Sequence, residues 1–546
     1  MEKVFLIAGD AGQGIAKSAE ILAKSFTKRG YYVFNYRDYP SLIRGGLNFN
    51  MLKVSTDPVG SHEWKADYAV FLSQQAFDTH KDKTHFAITT SEVIGGDFQI
   101  NTSEIVQKTG APAIAGNTAT LGALYKAIGH DTQPLMEALA DFGKHADINR
   151  KVAWEGFQAY TGKTTPLPQK EGGKPGYFIS GSCAIALGAI AAGMDLYFAY
   201  PMTPATPVLH VLAELEREFD YRTVQLENEI AVANAALGAS FAGSNVMIGT
   251  SGGGLALMGE ALSLQGISEL PLVAYLSMRT GPATGVPTYT GQGDIKFALN
   301  IGHGEFARAV IVPGDAKEAH ERTVEAFYLT RKFRVLSLLI SDKHLSESNY
   351  THDSLPEPRV NSERGLVKAT DSHMSYKITE EGVSPMAAPG VNGTLRATSY
   401  EHDEYGYTIE DEPTILKMVN KRLKKARTFE QAVNKLEPVS VYGKGKHVIL
   451  SWGSTKGAIL DALARLDQAS VKFVQLSYLA PFPKKQVEEA LKGAKTITAV
   501  ENSVTCALAG ILKEHTGLEV DHTIVKYDGR PFTGGEIVNK IRRVIA

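Results

Sequence analysis

Cysteine is almost missing: Cys183 and Cys506 are the only two in 546 residues, and they lie in different regions. That excludes a disulfide framework and a zinc site built from thiolates. An iron–sulfur cluster needs about four thiolates, so this chain cannot hold one alone. Net charge of one sign is missing too. The 57 basic and 59 acidic residues leave −2, too little field to draw in nucleic acid or an anionic membrane. Long apolar runs are absent. The start, MEKVFLIAGD, has one short apolar run after Glu2 and Lys3, too short for a signal peptide. Nothing approaches the roughly 20 apolar residues of a membrane span. The expectation is a cytoplasmic protein with no nucleic-acid and no membrane partner. There is no short internal repeat and no low-complexity tract.

What is present is an ordinary globular composition, 43% apolar and 21% charged. The length predicts three or four domains at about 150 residues each, and 52 glycines fit many strand-to-helix turns. Residues 3–8, KVFLIA, read as a buried strand, followed by a helix with Ile15, Ala19, Leu22, Ala23 and Phe26 at helical spacing. YYVFNYRDYP, ADYAVFLS and HFAITT read as further strands. This alternation predicts a parallel-sheet α/β domain over 1–162. GKTTPLPQKEGGKPG, rich in Pro, Gly and Lys, reads as a linker over 163–176. A second α/β unit covers 177–345. Residues 346–435 are polar and irregular, with a charged helix near TILKMVNKRLKKARTFEQAVNKL, and read as an extended connection. A third α/β unit fills 436–546.

Three glycine-rich turns follow strands. Gly9-Asp10-Ala11-Gly12-Gln13-Gly14 precedes a helix, where backbone N–H groups can meet a phosphate. Its spacing is not that of a dinucleotide fingerprint, and only Asp38 is placed to serve as the acidic partner. A dinucleotide site, a ligand-free turn and another phosphate-bearing ligand all remain open there. Arg44-Gly45-Gly46 sets a cation beside two glycines. Thr250-Ser251-Gly252-Gly253-Gly254 can cradle a ligand at the C-terminal edge of a sheet. Ser451-Trp452-Gly453-Ser454-Thr455-Lys456 lacks Walker A spacing and reads as structural.

Three further features belong together. YPMTPATP (200–207) ends a strand on prolines, which can neither continue a central strand nor sit inside a helix, and it offers Thr203 and Thr206 on a stiff scaffold. VQLENEIAVANAALGASFAG ends a strand in Glu227-Asn228-Glu229 before a helix of small residues. An acidic helix start suits the helix dipole, which accounts for Glu227 or Asn228 but not for Glu229 as well. A carboxyl group there is a candidate for acid–base chemistry. Arg279, after PLVAYLS, falls at the same sheet edge, and a guanidinium is the natural clamp for a small carboxylate.

Taken in order, these stretches resemble the 2-oxoacid:ferredoxin oxidoreductases, which are thiamine diphosphate enzymes. The chain looks like the α subunit with the γ domain fused at its N-terminus. GDAGQGIAKSAEIL with SLIRGG is similar to the γ domain. AIALGAIAAGMDLYFAYPMTPATP, ENEIAVANAALGAS, TSGGGLALMGEALS and RTGPATGVPT resemble the pyrimidine-binding domain. EGVSPMAAPG, EHDEYG, WGSTKGAILDAL, PFP and YDGRPFTGGEI resemble the linker and a transketolase C-terminal-like domain.

The resemblance implies an α/β fold of three α/β domains. It makes Glu229 the partner of N1′ of the aminopyrimidine, favouring the imino tautomer that takes the C2 proton. Thr203 and Arg279 bind the 2-oxoacid, and Gly252 and Gly253 line the cofactor. The γ-type domain, with Gly12, Gln13, Gly14 and Arg44, is associated with coenzyme A. A G-D-G motif with a later Asn is missing. The Mg2+ end of thiamine diphosphate and any [4Fe-4S] cluster are therefore expected on a separate β subunit, in an αβ or (αβ)2 complex that reduces ferredoxin. The γ–α order leans toward 2-oxoglutarate, with pyruvate, branched-chain and aryl acids as alternatives. Met386, where many relatives carry Arg, the stretch ENSVTCALAG, and Thr206 for a frequent Ser depart from the pattern. The competing readings are a nucleotide-binding dehydrogenase using Gly9–Gly14 and a non-catalytic scaffold.

Overall fold

A computed structural model describes residues 2–42, 45–167, 176–362, 365–390 and 393–545. Most of the linker 163–176, namely 168–175, lies outside the described residues, as does Arg44. Three sheets organise the chain. The first has eight strands in the spatial order Phe98–Ile100, Ala87–Thr90, Tyr68–Phe71, Glu2–Asp10, Leu47–Ser55, Tyr32–Asp38, Asn349–His352 and Tyr177–Ser180. The first four run parallel. The remaining pairings are antiparallel. The expected parallel sheet is thus corrected to a mixed one. The strand responsible, Leu47–Ser55, follows Tyr32–Asp38 after a short connection. A parallel return needs a dozen or more residues, so the chain turns back antiparallel.

The second sheet has seven strands, in the order Tyr478–Ala480, Arg308–Ile311, Leu336–Asp342, Leu272–Met278, Val246–Thr250, Leu196–Ala199 and Arg222–Gln225. All are parallel except the edge strand Tyr478–Ala480, which arrives from the C-terminal unit. Strand order reverses between Leu196–Ala199 and Val246–Thr250. The loop after the first leads to one edge and the loop after the second to the other, which opens a crevice at their C-terminal ends, where open α/β sheets take ligands. The third sheet has five strands, in the order Val439–Gly443, Val471–Leu476, His447–Trp452, Thr496–Glu501 and His522–Val525.

The units share apolar cores. One cluster joins Phe34, Tyr36 and Phe71 of the first sheet to Tyr197, Tyr275 and Phe327 of the second unit. Another joins Val232, Leu255 and Leu272 to Val448 and Leu476 of the third. Charged anchors add direction. Lys456 bridges Asp315 at 2.5 Å and Glu318 at 2.6 Å, so the third glycine turn serves as a structural clasp. The 22-residue helix Glu412–Val433 buries Lys421 and Lys425 against Glu269 at 2.5 and 2.6 Å. Among the described residues, no helix is long and apolar enough to cross a membrane.

Candidate active site

The four loops that follow Leu196–Ala199, Arg222–Gln225, Val246–Thr250 and Leu272–Met278 converge at the crevice edge. Helix Thr206–Leu215 starts directly after the proline-rich loop, with Pro207 in its first turn, where a missing N–H costs nothing. The loop meets Arg279 through its backbone: Arg279 Nη1 donates to the Thr203 carbonyl at 2.6 Å. The Thr203 hydroxyl, the atom expected to matter, makes no hydrogen bond among the described residues. Thr203 and Arg279 are therefore neighbours, with the Arg279 side chain held by main chain.

Glu229 is the first residue of helix Glu229–Phe241, but it is not the cap. Asn228, in extended backbone, accepts from the Ala231 N–H at 2.9 Å and does that work. Glu229 is 3% exposed, and its Oε1 has no partner. An unpaired buried oxygen costs about 1–3 kcal/mol, so its presence points to a group from outside the chain. Gly254, in the first turn of helix Gly252–Leu257, lies against the same carboxyl. A Cβ at Gly254 would sit 2.7 Å from Glu229 Oε1 and 2.0 Å from Thr250 Oγ1. Gly253 faces open space, with nothing within 4 Å of a built Cβ, whereas a Cβ at Gly252 would meet Asp294 Oδ2 at 2.4 Å. A buried acceptor beside a glycine-lined opening fits the aminopyrimidine end of thiamine diphosphate.

Sequence reasoning named Gly254 only as part of the glycine turn and missed Asp294. Asp294 precedes helix Ile295–Asn300 without capping it and makes no side-chain hydrogen bond among the described residues. Burial raises its carboxyl above the ordinary range, with Arg279 opposing the shift. Burial likewise lowers Arg279, and Asp294 works against that. The two charges steady each other across the crevice without touching. Only the TGQGD spacing after Arg279 hinted at Asp294.

The N-terminal turn closes on itself. Gln13 Oε1 accepts from the Asp10 N–H at 2.7 Å, its Nε2 donates to the Leu72 carbonyl at 3.2 Å, and Asn117 Nδ2 donates to the Gln13 carbonyl. Gly12 and Gly14 take φ of 93° and 75°, which favours glycine. Gly12 and Gln13 border a cavity of about 500 Å3 together with Thr90, Glu92, Ser103 and Asn117. Asp38 is engaged by Tyr36, Tyr289 and Arg530 and is not free to meet a ribose. The Met386 departure lies elsewhere. Ala388 packs on Gly243, just beyond the C-terminus of the 13-residue helix that Glu229 begins, so about 20 Å of helix separates them. In ENSVTCALAG, Glu501 accepts from Trp452 Nε1 at 2.9 Å and from the Ala507 and Leu508 N–H groups at 2.7 and 3.0 Å, which anchors a helix.

Loops at a switch point around a buried unpartnered glutamate and a clamped arginine make this crevice the candidate ligand site of the chain. Residues 187–421 match the family described as pyruvate flavodoxin/ferredoxin oxidoreductase, thiamine diP-bdg, and residues 4–159 match pyruvate ferredoxin/flavodoxin oxidoreductase. The 2-oxoacid:ferredoxin oxidoreductase subunit alpha of Saccharolobus solfataricus is 30% identical over 99% of this chain and 97% of its own length. The 2-oxoglutarate synthase subunit KorA of Methanothermobacter marburgensis is 27% identical over 67% of this chain and 98% of its own. The solved 2-oxoglutarate:ferredoxin oxidoreductase of Magnetococcus marinus, with 2-oxoglutarate, coenzyme A and succinyl-CoA bound, covers both chains fully at 28% identity and a TM-score of 0.90. The chain belongs to the 2-oxoacid:ferredoxin oxidoreductase family, on its α-subunit side, and is an oxidoreductase with a thiamine diphosphate-binding domain.

Proposed function

We propose that the chain is a γ–α fused subunit that works with a separate β subunit. Together they convert a 2-oxoacid, 2-oxoglutarate first, and coenzyme A to the acyl-CoA and CO2, passing electrons to ferredoxin. The observation that carries this is the buried Glu229 oxygen without a partner, at the same sheet edge as Arg279. Thiamine diphosphate, when bound, supplies the electron sink that lets a 2-oxoacid lose CO2. Glu229 holds the pyrimidine end by a hydrogen bond and moves a proton there. Gly253 leaves room for the cofactor, and Gly254 lets the Glu229 carboxyl approach. Arg279 pairs with the 2-oxoacid carboxylate, and its bond to the Thr203 carbonyl fixes the guanidinium before substrate arrives. The Thr203 hydroxyl is left to donate to the substrate.

The Mg2+ end, the [4Fe-4S] clusters and the remaining wall belong to the β subunit. Supporting this, Ile230, Leu257, Val286 and Phe297 are exposed on the elements that carry the site, an apolar rim suited to a partner surface. Gly12, Gln13 and Gly14 mark the side of the N-terminal unit assigned to coenzyme A. Substrate choice rests on the KorA relative and the 2-oxoglutarate complex; pyruvate, branched-chain and aryl acids are the alternatives. The test is co-purification with the β subunit, then a 2-oxoacid panel with coenzyme A and a low-potential dye. The highest kcat/KM for 2-oxoglutarate is expected. A complex that binds no thiamine diphosphate, or that prefers another acid, would overturn the respective part.

A further inference from the structure

The loop carrying Arg279 is held from outside its own sheet. Thr280, the next residue, is braced by the end of the loop: its N–H donates to the Tyr289 carbonyl at 3.2 Å and its hydroxyl to the Thr290 carbonyl at 2.8 Å. Tyr289 and Thr290 are in turn gripped by the other two units. The Tyr289 hydroxyl donates to Asp38 Oδ1 at 3.2 Å. Asp38 stands at the end of strand Tyr32–Asp38 in the N-terminal sheet and is buried. Its second oxygen accepts from the Tyr36 hydroxyl at 2.8 Å and pairs with Arg530 Nε at 3.2 Å. The Arg530 guanidinium lies 3.8 Å from the centre of the Tyr289 ring, and the Thr290 N–H donates to the Gly529 carbonyl at 3.1 Å. One carboxylate of the N-terminal unit thus collects donors from the substrate loop and from the C-terminal unit.

We propose that Asp38 is a positioning residue for the 2-oxoacid. Through Tyr289 and Thr280 it sets where Arg279 stands, which makes the N-terminal unit part of the substrate site. This rests on the reading of Arg279 as the carboxylate clamp. Asp is suited to the task because all three groups facing it are donors, and an ionised acceptor makes the stronger bonds. An amide in its place turns an N–H2 toward one of them.

The experiment compares Asp38→Asn, Tyr289→Phe, the double variant and Arg279→Ala in the complex co-expressed with the β subunit. The 2-oxoacid is varied at saturating coenzyme A and dye, and thermal unfolding is followed in parallel. Asp38→Asn and Tyr289→Phe are each expected to raise the 2-oxoacid KM about tenfold with kcat within about twofold. The KM for coenzyme A should not change. The double variant should be no worse than the stronger single one, because both break the same link. Tyr289→Phe keeps the Asp38–Arg530 pair and so guards against a folding defect. A raised KM in Arg279→Ala with none in the two single variants overturns the role of Asp38 alone. So does a KM rise that appears only where the unfolding temperature falls. An unchanged KM in Arg279→Ala overturns the assignment of the loop, and the role of Asp38 with it.

Discussion

Glu229 illustrates how much one side chain can carry. Its burial and its unpartnered oxygen make Glu229→Gln the sharpest substitution: the amide loses the acid–base function while keeping the shape. A fall of roughly 10²–10⁴ in the decarboxylation rate is expected, and activity within about twofold of the parent would contradict the assignment. Arg279→Ala should raise the 2-oxoacid KM by about 1.5–3 kcal/mol equivalent, read from steady-state kinetics. The two neighbouring glycines separate fold from ligand. Gly254→Ala puts a methyl against Thr250 and Glu229, an overpacking cost of about 1–3 kcal/mol, and should lower both stability and cofactor affinity. Gly253→Ala meets no protein atom, so the unfolding temperature should hold while thiamine diphosphate binding weakens. Calorimetric titration beside thermal melts distinguishes these outcomes. That Thr203 lies beside Arg279 was legible in the sequence, but the identity of the atom facing Arg279 was not. That atom is the carbonyl, and which main-chain oxygen a distant guanidinium reaches is invisible to local spacing.

Among elements, strand Leu47–Ser55 is one that the pattern did not reveal, as are Phe98–Ile100, Asn349–His352 and Val439–Gly443. LNFNMLKVS places Asn50 and Lys53 in the interior, where polarity argues against a strand. Both are satisfied across the fold: Asn50 Nδ2 donates to Asn35 Oδ1 on the neighbouring strand at 2.9 Å, and Lys53 pairs with Asp461, far along the chain, at 3.0 Å. Helix Glu412–Val433 repeats the lesson, since the charged run hides two lysines that are buried on Glu269. Burial would raise the Glu269 carboxyl, but Lys425, Lys421 and Arg334 outweigh it and hold it well below the usual range. Glu269→Gln strips the counter-charge from two buried ammonium groups. A loss of about 3–5 kcal/mol is expected, measured by denaturant unfolding, and a loss below about 1 kcal/mol would show the helix to be held by its apolar contacts instead.

Across the whole molecule, the units are joined by charges as well as by shared cores. Burial raises the Asp315 carboxyl, yet Lys456, then His352, overcome this and bring it from 3.8 to about 2. The sign follows from linkage. The folded pKa is depressed, so the contribution is fully present above about 4 and is lost as pH falls through about 2. That amounts to about 2 kcal/mol over the window. Lys456→Met removes the cation, so the acid limb of a stability–pH profile should move to higher pH. An unmoved limb would place the sensitivity elsewhere.

The sequence by itself determined the succession of α/β units, the loops that end at sheet edges, the lack of clusters of thiolates, and the family resemblance carried by YPMTPATP, ENEIAVANAALGAS and TSGGG. These depend on residue type and spacing along the chain, which local backbone preferences translate directly into turns and helix starts. Only the tertiary structure decided that the first sheet is mixed, that Glu229 keeps an oxygen free, and that Asp38 of the N-terminal unit grips the loop that carries Arg279. Those outcomes rest on groups 76 residues apart for Arg279 and Thr203 and 251 apart for Tyr289 and Asp38. The partner a buried donor or acceptor finds at such separations is set by how whole sheets pack, and no local pattern encodes it.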